Sequence, residues 1–193
     1  LRNVSYSRAL RRLQGSSIPV MVPHRYLTFF DVVRAAVATI PKPPRPEPVP
    51  RFAGMDITPI FQEDLRGHWV SNRAADVLVL AALIRRWAAQ GASIERIVYV
   101  FENQPWERGI CWQTRRSLPG ATLVGYQHSR VPRMLLSFYL ARGGESKAPL
   151  PHRLVTVGEH TARLLSADGH DPDRVRVGGA FQMLDLFQLR SRT

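Results

Sequence analysis

Residues 96–126 read RIVYVFENQPWERGICWQTRRSLPGATLVGY. An apolar run, Arg96-Ile97-Val98-Tyr99-Val100-Phe101, leads into a proline-opened stretch from Pro105 to Ser117, and a second apolar run follows, Thr122-Leu123-Val124-Gly125-Tyr126. Short runs rich in β-branched and aromatic residues are strand signals, and proline at a first helical position is a helix start. The segment therefore reads strand, helix, strand, and a strand that returns to its sheet through a helix runs parallel to the first. Two further runs extend the pattern: Leu154-Val155-Thr156-Val157 before a helix over Glu159 to Ala167, and Val175-Arg176-Val177 after it. Apolar runs alternating with helices predict an α/β domain, a Rossmann-like parallel sheet with helices on both faces.

Upstream, Asp56 is placed to cap a short helix through Leu65, and Ser71 or Asn72 to open a longer one through Gln90 that Gly91 ends. Ala75, Leu78, Val79, Ala82, Leu83 and Arg86 recur at helical spacing, so the longer helix buries a broad face. Residues 41–50, PKPPRPEPVP, hold six prolines and lack most backbone donors, which makes them a linker or surface loop. They set off residues 1–40, an N-terminal segment with a basic start, the apolar stretch Ile18-Pro19-Val20-Met21-Val22 and a helix over Tyr26 to Ile40. Residues 51–193 form the Rossmann-like domain, with no internal repeat.

The composition agrees. An apolar fraction of 45% over 193 residues is enough for one domain with a real core. Lys plus Arg is 27 against 15 Asp plus Glu, a net +12, and only Lys42 and Lys147 are lysines. Such a field attracts phosphates, nucleic acid or an anionic membrane face, although scattered surface arginines account for most of it. Cys111 is the only cysteine, which excludes an internal disulfide and a cysteine-cluster metal site and suits a reducing cytoplasm. The longest apolar run, Val77 to Ile84, falls far short of the roughly 20 residues of a membrane span. The N-terminus, with Arg2, Arg8, Arg11 and Arg12, lacks the apolar region of a signal peptide. A cytoplasmic protein, at most peripheral to the inner membrane, is the expectation.

In an open parallel sheet, ligands bind outside the carboxyl ends of the strands, where loops and helix N-termini converge. The first strand is followed by Glu102-Asn103-Gln104-Pro105-Trp106-Glu107, the second by Gln127-His128-Ser129-Arg130, and the third by Gly158-Glu159-His160. Glu102 is the sharpest candidate, because a carboxylate at the end of a buried run is partly desolvated and suited to acid, base or nucleophilic work. His128 can donate to a phosphate oxygen, orient Glu102 or shuttle a proton. Gln104, Trp106, Gln127, Ser129 and Arg130 are the candidate substrate contacts beside them, Trp106 by stacking on a sugar ring. Glu107 and Glu159 read as acids favoured in a first helical turn by the dipole. No Walker phosphate loop, GxGxxG, HExxH or GxSxG appears, Gly178-Gly179 stands alone after its strand, and no metal site is expected.

Several of these stretches resemble one family. FAGMDITPIFQEDL (Phe52 to Leu65), IVYVFENQPWERG (Ile97 to Gly109), LVGYQHSRVP (Leu123 to Pro132), PLPHRLVTVGEHTARLL (Pro149 to Leu165) and VRVGGAFQ (Val175 to Gln182) are similar to the surface-carbohydrate or capsular-polysaccharide biosynthesis glycosyltransferases, which are GT-B-like. ENQPWE and GYQHS are the most specific parts. The resemblance implies the N-terminal, acceptor-side half of a two-domain enzyme whose C-terminal domain binds the nucleotide sugar in the cleft between them. The chain stops soon after VRVGGAFQ, so the donor domain is expected to be missing and the fragment inactive alone. By matching position, Glu102 and His128 belong to cleft-facing loops and are the catalytic candidates.

The implied partners are a nucleotide sugar as substrate, CMP-activated in some members of the family, and a glycan or lipid-linked acceptor. No separate cofactor and no nucleic acid are implied. Two other readings compete: a basic α/β module that grips nucleic acid or an anionic membrane through its arginines, and a sugar-nucleotide epimerase half-domain. The arginines form no single stripe, and no aromatic RNA-binding motif accompanies them.

Overall fold

The computed structural model describes residues 25–40, 49, 51–70, 73–132, 135–140 and 149–180. The apolar stretch at 18–22, the proposed helix openers Ser71 and Asn72, and the proline segment apart from Val49 lie outside the described residues.

Helix α1 (Phe29–Ala38) starts three residues later than the sequence suggests, because Thr28 caps it: the Asp31 amide donates to the Thr28 hydroxyl, and the Thr28 amide and hydroxyl donate back to the Asp31 carboxylate. A small antiparallel hairpin, β1 (Arg51–Phe52) and β2 (Met55–Asp56), turns through Ala53 and Gly54, both at positive φ. Asp56 accepts from the Thr58 amide at 2.8 Å and so caps α2 (Thr58–Val70), the expected helix extended by one turn and more. Helix α3 (Arg73–Ala89) is encased over Ala81, Ala82, Leu83 and Ile84, four consecutive buried residues. Gly91, at φ +72, follows it in the left-handed conformation that ends helices.

The sheet then builds in chain order. Strand β3 (Arg96–Val100), helix α4 (Pro105–Ser117), strand β4 (Thr122–Gln127), a single 3-10 turn at Leu136–Phe138, strand β5 (Arg153–Thr156), helix α5 (Glu159–Ala167) and strand β6 (Val175–Val177) give a four-stranded sheet of order β3-β4-β5-β6. Every pairing is parallel. The α/β, Rossmann-like expectation holds to that extent.

The coverage of the sheet departs from expectation. Each strand lies beside its predecessor and always on the same side, and crossovers between parallel strands are right-handed. Successive crossovers in one direction must therefore stack on one face. The contacts agree: Leu165 of α5 and Phe138 of the 3-10 turn pack with Phe101, Leu154 and Val175, while Cys111 of α4 meets Tyr99 of β3. Helix α3 in turn packs on α4, so closely that a side chain at Gly109 would meet the Val77 methyl at 2.5 Å. On the other face Val98 is 61% and Val100 43% exposed, and Arg96, Arg153 and Arg176 stand in solvent. Among the described residues, the helices whose packing on the sheet is recorded cover one face.

Outside that layer, α1 is fastened to α3 by an ion pair, Arg86 Nε to Asp31 Oδ2 at 3.0 Å. Hydrogen bonds from the Thr28 amide and hydroxyl, with the Arg86 guanidinium beside them, hold the Asp31 carboxyl at about 2, below its ordinary value. Among the described residues no helix is long and apolar enough to cross a membrane.

Candidate functional site

Parallel pairing brings the trailing ends of all four strands to one edge, so the residues after β3, β4, β5 and β6 share a rim. Between β3 and β4 the register offset is constant: Val100 pairs with Tyr126, a step of 26 residues. The Phe101 amide donates to the Tyr126 carbonyl at 2.9 Å and closes that last pair. The Glu102 amide then leaves the ladder for the Glu107 carboxylate, and Glu102 and His128 follow the ends of these two adjacent strands. Both residues are half-buried. The carboxylate and the imidazole singled out from sequence thus lie at neighbouring strand ends.

The loop that carries Glu102 is tightly held. Asn103 sits at φ +55, a left-handed conformation that Asn tolerates better than most residues. That turn gathers three successive amides onto one acceptor: the amides of Glu102 and Gln104 donate to Glu107 Oε1 at 2.9 and 3.0 Å, and that of Asn103 to Oε2 at 3.1 Å. Asn103 is itself buried and donates from Nδ2 to the Ser137 carbonyl at 2.6 Å, tying the loop to the β4–β5 connection. Pro105 then opens α4, where no amide is needed.

Glu107 is the helix-start acid that the sequence predicts, and it is buried: it is 1% exposed, and burial pushes its carboxyl up against the opposing pull of the three amide bonds. The spacing Gln104-Pro105-Trp106-Glu107, with proline at the first helical position and an acid two residues later, is the signal that could have marked it as a cap.

Gln127 lies deeper than the other rim candidates. Strand alternation puts it on the helix-covered face, where it is 0% exposed and, among the described residues, both its amide atoms lack a hydrogen-bond partner. Its side chain presents no surface to the rim. His128, the next residue, falls on the opposite side of the strand, and its Nδ1 is likewise buried without a partner among the described residues.

The remaining candidates divide by exposure. Ser129 and Arg130 are exposed, with the Ser129 hydroxyl 3.5 Å from the Arg130 carbonyl, and Gln104 is half-buried beside Glu102. Trp106 is half-buried with its ring edge-on to Tyr99, centroids 6.1 Å apart, so the indole is partly committed to the covered face. Glu159 is exposed and only 4.0 Å from Arg163, consistent with a solvated helix-start acid. Around β5, the Thr156 hydroxyl donates to the Gly158 carbonyl at 3.1 Å and shapes the turn into α5.

Cys111 is fully buried with its Sγ 3.2 Å from the Tyr99 hydroxyl, and burial pushes its thiol up, which removes it as a thiolate nucleophile. Among the described residues no group of three or more His, Cys, Asp or Glu side chains is placed to hold a metal ion. Comparison with family models, curated proteins and solved structures finds no match to this chain.

Proposed function

We propose that this chain is the acceptor-side domain of a nucleotide-sugar-dependent glycosyltransferase that extends a bacterial surface polysaccharide. One observation carries the reading: a half-buried carboxylate, Glu102, and a half-buried imidazole, His128, follow the ends of two neighbouring parallel strands, at the carboxyl edge of the sheet. The similarity of ENQPWE and GYQHS to the surface-carbohydrate transferases supplies the substrate class, and a second, GT-B-like domain supplies the nucleotide sugar.

Two courses are open to Glu102. As a base, it takes the proton of an acceptor hydroxyl while the hydroxyl oxygen bonds to the anomeric carbon; the bond from that carbon to the phosphate oxygen breaks, and the nucleotide leaves with the electron pair. As a nucleophile in a double displacement, its oxygen bonds to the anomeric carbon as the nucleotide leaves with the electron pair of the carbon–phosphate-oxygen bond; in the second step the acceptor oxygen bonds to that carbon, the carboxylate departs with its electron pair, and the acceptor proton passes to the freed phosphate or to water. His128 serves either course by donating to a phosphate oxygen or by orienting the carboxylate. Gln104, Ser129 and Arg130, on the loops after β3 and β4, are the proposed substrate contacts, and Arg130 suits a phosphate or a sugar carboxylate. Nucleotide sugars place such an enzyme in the cytoplasm, and a lipid-linked acceptor would bring it to the inner membrane.

The test is Glu102→Gln in the complete enzyme, which keeps the shape and removes the ionisable group. Transfer should fall by at least about 1,000-fold, the scale on which a general base or nucleophile acts, with the circular-dichroism spectrum and melting temperature unchanged. Turnover near normal would eliminate Glu102 as the catalytic carboxylate. His128→Ala should lower turnover or donor affinity, and no change in either would return it to the status of a loop residue.

A further inference from the structure

Glu107 is a buried carboxylate that the transfer chemistry does not use, and it makes no salt bridge with a described residue. It accepts from the backbone amides of residues 102, 103 and 104, three of the four residues that join β3 to α4. A carboxylate whose recorded hydrogen bonds are three consecutive amides determines the path of that backbone more tightly than an ion pair would, because each amide direction is set by the peptide planes on either side. The side chains of the loop are sorted accordingly. Asn103 and Glu107 are buried, whereas Glu102 and Gln104 remain half-buried at the rim.

We propose that Glu107 is the positioning residue of this site: by holding the amides of Glu102, Asn103 and Gln104 together, it fixes the point and direction from which the Glu102 carboxylate meets its substrate. Asn103 is the second tie, since its left-handed backbone brings the amides onto one acceptor and its side chain anchors the loop to the Ser137 carbonyl. The inference rests on the transfer reading for what Glu102 does, but the part concerning loop geometry does not. A carboxylate held by its own backbone is pre-organised before substrate arrives, and a displacement of about 1 Å at a reacting group can cost on the order of 100-fold in rate.

The experiment compares Glu107→Gln with Glu102→Gln in the full-length protein. An amide side chain at 107 keeps one acceptor oxygen and turns an NH2 toward amide donors, so the loop is released while the volume is preserved. In Glu107→Gln, kcat per folded molecule should fall about 100-fold with KM changed less than about 3-fold, and the amide proton resonances of Glu102, Asn103 and Gln104 should move upfield while those of β4 stay in place. Asn103→Gly, which tolerates positive φ and removes the anchor, should lower kcat in the same direction by a smaller factor, and it supplies the answer if Glu107→Gln fails to fold. Wild-type kcat in a folded Glu107→Gln, beside a dead Glu102→Gln, overturns this inference and leaves the transfer reading standing. An active Glu102→Gln overturns the transfer reading and the positioning role with it.

Discussion

The two faces of the sheet are made by the same strands and are chemically similar, yet they have different fates. On the covered face, Phe101, Leu123, Leu154 and Thr156 are at most 3% exposed, and Phe101 and Leu154 pack with Leu165 of α5 and Phe138 of the 3-10 turn. On the open face, Val98, Val100, Val124, Tyr126 and Val155 are as β-prone and as apolar, but the first two stand largely in solvent among Arg96, Arg153 and Arg176. β-branched apolar residues do not distinguish the faces, although the strand arginines all fall on the open one. Strand order does, because sequential right-handed crossovers put every connecting helix on one side.

Substitutions of matched chemistry on the two faces sharpen this contrast. The largest effect is expected at Phe101→Ala, which empties the place where Phe101 meets Phe138 and the His170 ring, centroids 6.0 and 5.8 Å away. Loss of a buried phenyl ring costs about 3 to 5 kcal/mol, measured by denaturant unfolding. A loss below about 1 kcal/mol would mean that the covered face is not the core.

An intermediate effect is expected one layer out, at Asp31→Asn. This change removes the Arg86 partner and half of the α1 cap and should cost about 1 kcal/mol, since Arg86 is 40% exposed and screened by solvent. The pH dependence follows from the lowered carboxyl. The contribution is complete above the ordinary 3.8 and is lost as pH falls through about 2 in the folded protein. The wild type should therefore lose more stability than Asp31→Asn between pH 4 and pH 2, and parallel acid-unfolding curves would contradict the pairing. The smallest effect belongs to the open face: Val98→Thr should change stability by no more than about 0.5 kcal/mol. A cost above about 2 kcal/mol there would show that the face is covered in solution.

What the sequence revealed, and what it hid, divides along the same line. The runs at Arg96–Phe101, Thr122–Tyr126 and Val175–Val177, and the helices at Pro105–Ser117 and Glu159–Ala167, were legible because periodicity and proline or glycine punctuation are local signals. Coverage on one face was not, since it depends on which strand neighbours which. The β1–β2 hairpin was missed because two-residue strands carry no period and Ala53 is not a residue that announces a left-handed turn.

At the rim, Glu102 and His128 could be read from their places after strands. The burial of Gln127 follows from the alternation of β4, which its last residue still obeys. Glu107 is legible as a first-turn acid, but its burial is not, because a buried first-turn acid and a solvated one look alike in sequence. The difference comes from Asn103, whose left-handed backbone folds three amides onto the carboxylate.

The unreversed strand order also bears on how the sheet is assembled. Paired residues are 26 positions apart between β3 and β4, 29 between β4 and β5 (Val124 with Arg153), and 21 between β5 and β6 (Leu154 with Val175). Each closure thus spans a single crossover, and loop entropy grows only by about 0.6 kcal/mol per doubling of length. A parallel sheet is ordinarily slow to form because its partners are far apart along the chain. Here every new strand finds its neighbour already made, so the edge bearing Glu102 and His128 is complete as soon as the second strand has docked on the first.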